Sequence, residues 1–275
     1  MKHSDSPIGI FDSGIGGLTV ANAVLNTLPN ESFIYFGDTA HLPYGDKSPE
    51  TIKRYCSVIT EFLLENNVKM IIIACNSASS VAFEYVQEIA MKQNVQVINV
   101  IDPVVDYIHL HNIKNVGVIG TRATIGSNIF PSKIQHLHPQ TQVESLATPL
   151  LAPMIESGFI KGDISKAIIE AYLIEPELDK IEALILACTH YPLIKKEISE
   201  FYIDHQRQVE ILATNEIVAE YVKKVLEESD LISKSDRVRH QFFVSDYTDT
   251  FEETTKMFYK QEVILKHSPI FEGEA

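Results

Sequence analysis

The stretch Met70-Ile71-Ile72-Ile73-Ala74-Cys75-Asn76 decides the fold, because it returns as Ala183-Leu184-Ile185-Leu186-Ala187-Cys188-Thr189. Each is an apolar run that ends in alanine, cysteine and a small polar residue. Ligands of open α/β sheets gather at the carboxyl ends of the strands, so each run delivers a thiol to a binding cleft. A second pair of segments, I-G-I-F-D-S (Ile8 to Ser13) and V-G-V-I-G-T (Val116 to Thr121), precedes the two cysteines by similar distances. The repeat reads as a duplication of one α/β unit. With both halves facing one cleft, Cys75 and Cys188 flank a single substrate. That arrangement suits a reaction that takes a proton from one face of a carbon and returns it to the other.

Outward from these runs, strand-like segments rich in Ile and Val alternate with amphipathic ones. The strand candidates are Ile8–Phe11, Phe33–Phe36, Met70–Ala74, Val95–Val100, Val116–Gly120, Val143–Leu146, Leu184–Ala187 and Val209–Ala213. Between them lie helical patterns such as Thr51–Glu65, where Ile52, Tyr55, Cys56, Ile59, Phe62 and Leu63 share one face. Cys56 sits on that stripe and reads as a small core residue without a function. The alternation predicts an α/β fold of two similar, doubly wound parallel-sheet domains. Residues 1–100 plus 209–275 form the expected first domain, with Cys75, and residues 101–208 the second, with Cys188. Ile101-Asp102-Pro103 is the expected crossover. A chain of 275 residues gives each domain its own core. After Gln241 come one more strand-like run, F-F-V, and a helix near Thr250–Tyr259, whose periodicity does not say which domain receives them.

The balance of 23 basic against 37 acidic residues leaves a net charge of −14, which repels phosphate backbones and anionic membranes. Nucleic acid is therefore not expected as a substrate. An anionic metabolite needs local donors, which backbone N–H groups at helix starts and small hydroxyls provide. The segment M-K-H-S-D-S-P runs straight into a strand without an apolar signal core, and no apolar run is long enough to span a bilayer. The expectation is a cytoplasmic protein away from membranes. Three cysteines without close spacing argue against a disulfide framework or a C-x-x-C metal site.

In G-I-F-D-S-G-I-G-G-L-T, Thr19 stands where a dinucleotide fingerprint needs glycine, and no phosphate-loop lysine follows. Gly14, Gly16 and Gly17 still make a tight turn with exposed N–H groups, beside Asp12 and Ser13 at the strand's end. Asp12 has two readings, a site residue or a simple cap of that turn. Tyr44-Gly45, in the irregular loop Y-F-G-D-T-A-H-L-P-Y-G-D-K-S, offers two backbone donors to a carboxylate or merely turns the chain. The cysteines in A-C-N-S-A-S-S and A-C-T-H-Y-P-L stand at helix starts, where the dipole favours a thiolate. A thiol with an ordinary pKa of roughly 8.5 needs only a modest downward shift to act as a base near neutral pH. Pro192 fits a first helical turn, which puts Cys188, Thr189 and His190 at that helix's entrance.

Together, D-S-G-x-G-G, Y-x-G-D-x-x-x-x-P-Y-G, A-C-N-S-A-S and A-C-T-H-Y-P resemble, in order and across nearly the whole chain, the glutamate racemases. These are cofactor-independent enzymes that make D-glutamate for bacterial cell walls. Ser77 stands where that family usually has threonine, and Ala187 where it usually has glycine. The resemblance implies two α/β domains with the site between them and Cys75 and Cys188 as acid–base residues, assisted by Asp12, Glu156 and His190. It further implies glutamate contacts from Asp12, Ser13, Tyr44, Gly45, Asn76, Ser77, Thr121, Thr189 and His190, no metal or other cofactor, and a homodimer.

No lysine in these motifs serves as a Schiff-base candidate, so the thiols carry the proton transfer. Neutral donors such as Asn76, Ser77 and Thr189 grip carboxylates, and Asp12 meets the ammonium group or orients a thiol. Three rivals stand beside this reading. One is an aspartate racemase with a smaller pocket. Another is a cysteine hydrolase in which Cys188 attacks and His190 is the base. The third is a binding module with inert core cysteines.

Overall fold

A computed structural model describes residues 3–259 and 263–271. Ten strands run through them: β1 (Ile8–Asp12), β2 (Phe33–Gly37), β3 (Met70–Ile73), β4 (Gln96–Asn99), β5 (Asn115–Gly120), β6 (Gln142–Ala147), β7 (Ala183–Ala187), β8 (Glu210–Ala213), β9 (His240–Val244) and β10 (Leu265–His267). They form two sheets, ordered β10-β9-β2-β1-β3-β4 and β6-β5-β7-β8, and every pairing is parallel. The expected doubly wound α/β architecture with two parallel sheets is what the chain adopts.

The duplication is visible in the winding. From β1 the chain goes to β2 on one side and then to β3 on the other, and from β5 it goes to β6 and then across to β7. Each sheet thus reverses its order once in the same way, opening a crevice at the strand ends. Register aligns Phe11 with Ile73 in the first crevice and Gly120 with Ala187 in the second. Asp12-Ser13 and Cys75 consequently emerge side by side, as do Thr121 and Cys188.

Strands β1 and β3 are buried along their whole length, which is why polar residues do not alternate with apolar ones along them. Helix Pro49–Glu65 starts where Ser48 Oγ accepts the Thr51 N–H at 3.3 Å, with proline in its first turn. Its stripe Ile52, Cys56, Ile59 and Leu63 is fully buried against one face of the first sheet. Cys56 is core, as expected, and burial pushes its thiol well up. Asn67, just past this helix, takes a left-handed φ of 56°, the conformation that stops a helix without glycine.

Two expectations change. The sequence reading puts Val209–Ala213 with the first domain, yet β8 pairs with β7 in the second sheet, Ala183 opposite Glu210. The apolar run fits either sheet. The chain returns only afterwards, through helix Thr214–Glu228, which packs on helix Leu18–Thr27 of the first unit. Nor are the cores separate: one cluster joins Ile10, Leu18 and Tyr35 around the first sheet to Leu184, Leu186 and Ile198 around the second. The F-F-V run lies in β9, inserted beside β2 in the first sheet, with β10 outside it and helix Asp249–Tyr259 between them in the chain. No described helix is long and apolar enough to cross a membrane.

Candidate active site

Asp12 ends β1 and is 1% exposed. Its Oδ2 accepts the Gly17 N–H at 2.9 Å and the Gly14 N–H at 3.3 Å, so the turn-capping role of Asp12 is real. Its Oδ1 is equally buried and has no hydrogen-bond partner, so the cap does not exhaust the carboxylate. Burial raises its pKa, against the opposing influence of His190 and the turn's N–H groups.

Cys75 caps helix Asn76–Met91, its Sγ accepting the Ala78 N–H at 3.4 Å and lying 3.6 Å from Ser13 Oγ. These contacts favour a thiolate, as the sequence led us to expect. They are outweighed: burial first, and the charge of Asp12 second, push the thiol up to about 12. In the free protein near neutral pH, Cys75 therefore rests as a proton-bearing thiol. The side chain of Asn76, 3% exposed, has both amide atoms without a hydrogen-bond partner.

On the other side, Cys188 directly follows β7, and Pro192 opens a single 3-10 turn, Tyr191–Ile194, before helix Lys195–Asp204. The His190 ring is held at both nitrogens. Nδ1 lies 3.8 Å from Cys188 Sγ and 3.3 Å from Thr189 Oγ1, while Nε2 meets Glu156 Oε1 at 2.8 Å. Glu156 ends the short helix Leu151–Glu156. Burial works against a charged imidazole, but the bonds to Cys188 and Glu156 prevail and raise His190 to about 10. The glycine turn that Asp12 caps presses Gly16 against Thr189 and His190, so this one turn joins the Asp12 end of β1 to the second side.

The halves also touch directly. Ser77 Oγ lies 2.9 Å from Thr121 Oγ1, and Tyr44-Gly45, in a 3-10 turn, packs on Thr121 so closely that a Cβ on Gly45 would sit 2.9 Å from Thr121 Cβ. Thr19 Oγ1 donates to the Thr189 carbonyl at 2.9 Å. Gly16 is pressed against Thr189 and His190, where a Cβ would lie 2.5 Å from the nearest atom. All the residues singled out from the sequence thus belong to one contiguous region. Thr19, Thr124 and Phe258 were missed. Thr124 Oγ1 lies 3.4 Å from Ser77 Oγ, and the second threonine of G-T-R-A-T was its only signal. Phe258 packs edge-on to His190 at 5.1 Å between centroids, a contact no local pattern announces. Among the described residues, no group of three or more His, Cys, Asp or Glu is placed to hold a metal ion.

Two parallel α/β units with matching switch points define a doubly wound α/β protein that carries one buried thiol at the carboxyl end of each sheet. Residues 18–222 match the family model for Asp/Glu/Hydantoin racemase. A curated glutamate racemase from Chlorobaculum parvum is 39% identical over 94% of both chains, and one from Lactobacillus acidophilus 36% identical over 95% of this chain and 96% of its own. The crystal structure of glutamate racemase from Francisella tularensis in complex with D-glutamate superimposes with a TM-score of 0.90 at 38% identity, covering 97% of this chain and 98% of that one. An aspartate racemase homologue from Pyrococcus horikoshii, at 18% identity and a TM-score of 0.56, shares the fold alone. The chain belongs to the Asp/Glu/hydantoin racemase family and is an amino-acid racemase.

Proposed function

We propose that this racemase interconverts L- and D-glutamate by cofactor-independent transfer between two thiols, and that it supplies D-glutamate for peptidoglycan. The observation that carries the mechanism is the pair of buried cysteines at equivalent switch points. Family members that share over a third of their residues with this chain, and are named for glutamate, support the substrate.

In one direction a thiolate at one cysteine takes the α-proton, and the thiol of the other delivers its proton to the opposite face; reversing the roles converts the other enantiomer. The two sides start unequally. Cys75 begins as a thiol, ready to donate, whereas Cys188 lies 3.8 Å from His190, an imidazole whose partners favour its protonated form. The substrate ammonium, brought against Asp12, offsets the charge that adds to burial in holding Cys75 up. The developing carbanion has no cofactor to spread into, so fixed donors in a dry site bear that load. Asn76, Ser77, Thr189 and the N–H groups that open the Tyr44-Gly45 turn are suited to the substrate carboxylates. A cytoplasmic location and a homodimer complete this reading.

Chiral chromatography of the purified protein with L-glutamate and L-aspartate, without added pyridoxal phosphate or metal, tests it. The expected result is a 1:1 mixture of glutamate enantiomers and far slower change in aspartate. Preference for aspartate would favour the smaller-pocket rival. The row Cys188, His190, Glu156 also has the order of nucleophile, base and orienting group. A hydrolase would leave the enantiomeric ratio of glutamate untouched.

A further inference from the structure

The segment Tyr35–Asp38 carries a carboxylate that the acid–base chemistry does not use. Asp38 follows β2 and is completely buried. Its Oδ1 accepts from His41 Nδ1 at 2.8 Å and Ser245 Oγ at 2.7 Å, and its Oδ2 from the Tyr44 hydroxyl at 2.5 Å. Burial pushes the Tyr44 phenol well up, so Tyr44 is a neutral donor in this bond. Buried polar atoms need hydrogen-bond partners, and these three bonds supply them for Asp38. The three donors come from the start of the loop, from its Tyr44-Gly45 end, and from the end of β9.

The same strand end grips the loop twice more. Ser245 Oγ accepts the Ala40 N–H at 2.9 Å, and Thr39 Oγ1 accepts the Asp246 N–H at 2.9 Å while donating to the Asp246 carbonyl at 2.5 Å. Outside this network lies the segment after residue 262. His267 Nε2 donates to the Ser245 carbonyl at 3.1 Å, and Phe271 meets His41 edge-on at 4.6 Å and Tyr55 at 5.7 Å. His41 in turn stacks on Tyr55 at 4.0 Å. On its inner side the loop ends on Thr121 of the second unit.

We infer that Asp38 is a positioning residue for the Tyr44-Gly45 turn and that Phe271 braces the same loop from outside, so that β9, β10 and Phe271 set how tightly substrate is held. The inference rests on the proposed role of Tyr44-Gly45 as a carboxylate contact. Those backbone donors meet a carboxylate that changes little between ground and transition states. Loosening them removes uniform binding, which raises KM and leaves kcat in place.

Steady-state racemisation of glutamate by the full-length wild type, Asp38→Asn, Tyr44→Phe, Phe271→Ala and the double variant Asp38→Asn/Tyr44→Phe tests this. For Asp38→Asn, KM is expected to rise about tenfold, and for Tyr44→Phe and Phe271→Ala about threefold, with kcat within about twofold throughout. The double variant should be no worse than Asp38→Asn, because the bond that Tyr44→Phe removes is one of the three that Asp38→Asn already disturbs. A purely structural role would instead lower active protein and kcat at unchanged KM, and that result overturns the inference. Should circular dichroism show Asp38→Asn unfolded, Tyr44→Phe and Phe271→Ala decide by the same criterion. A wild type that racemises nothing overturns the underlying function and this inference with it; an active wild type whose variants keep KM overturns this inference alone.

Discussion

His190 has an ordinary pKa of 6.5 that its partners Cys188 and Glu156 carry up to about 10 against the pull of burial. Between those values the folded chain holds a proton that the unfolded chain has released. That contribution to stability is complete below about pH 6.5 and is lost as pH rises through about 10. Denaturant melts from pH 6 to 10 should show wild-type stability falling across this window, and His190→Asn should flatten that fall. An equal slope in both proteins would place the titrating group elsewhere. At this scale the sequence was informative about identity and poor about state. Asp12 and the cysteines could be found from their place at strand ends. The direction of the Cys75 shift could not, because it is set by burial and by a carboxylate on another strand, not by the helix start next to it.

Among the elements, the glycine turn after β1 carries the tightest constraint. A Cβ on Gly16 would lie 2.5 Å from His190 Cε1 and from Thr189 Oγ1, both of which are buried and tied down. Gly16→Ala must therefore displace the imidazole from its place beside Cys188. The expected loss is about 1–3 kcal/mol of stability in denaturant melts and more than about tenfold in kcat/KM. Gly126→Ala is the control, because a Cβ there meets nothing within 4 Å and its stability should hold or rise slightly. Equal losses in the two variants would contradict the packing argument. The strands themselves were legible from continuous apolar runs, and the helix Pro49–Glu65 from its stripe and cap. Partners were not: β8 reads the same whichever sheet it joins, and β10 is only three residues long.

At the scale of the molecule, a shared apolar core and the contacts Ser77 to Thr121 and Thr19 to Thr189 lock two repeated units around one site. The repeat could be read from the sequence because duplicated strand ends keep duplicated residues. The merged core could not, because it depends on how the Thr214–Glu228 helix crosses back to the first unit. One thiol per unit is the central claim, and the fate of the substrate's α-hydrogen tests it most directly. In heavy water the thiol that donates has exchanged with solvent, while the proton taken from substrate stays on the other thiol. Mass spectrometry of separated enantiomers during the first turnovers, started from either one, should find deuterium at the α-carbon of all product and none in remaining substrate. Product that keeps the original hydrogen, or substrate that gains deuterium before product forms, would mean that one base serves both faces.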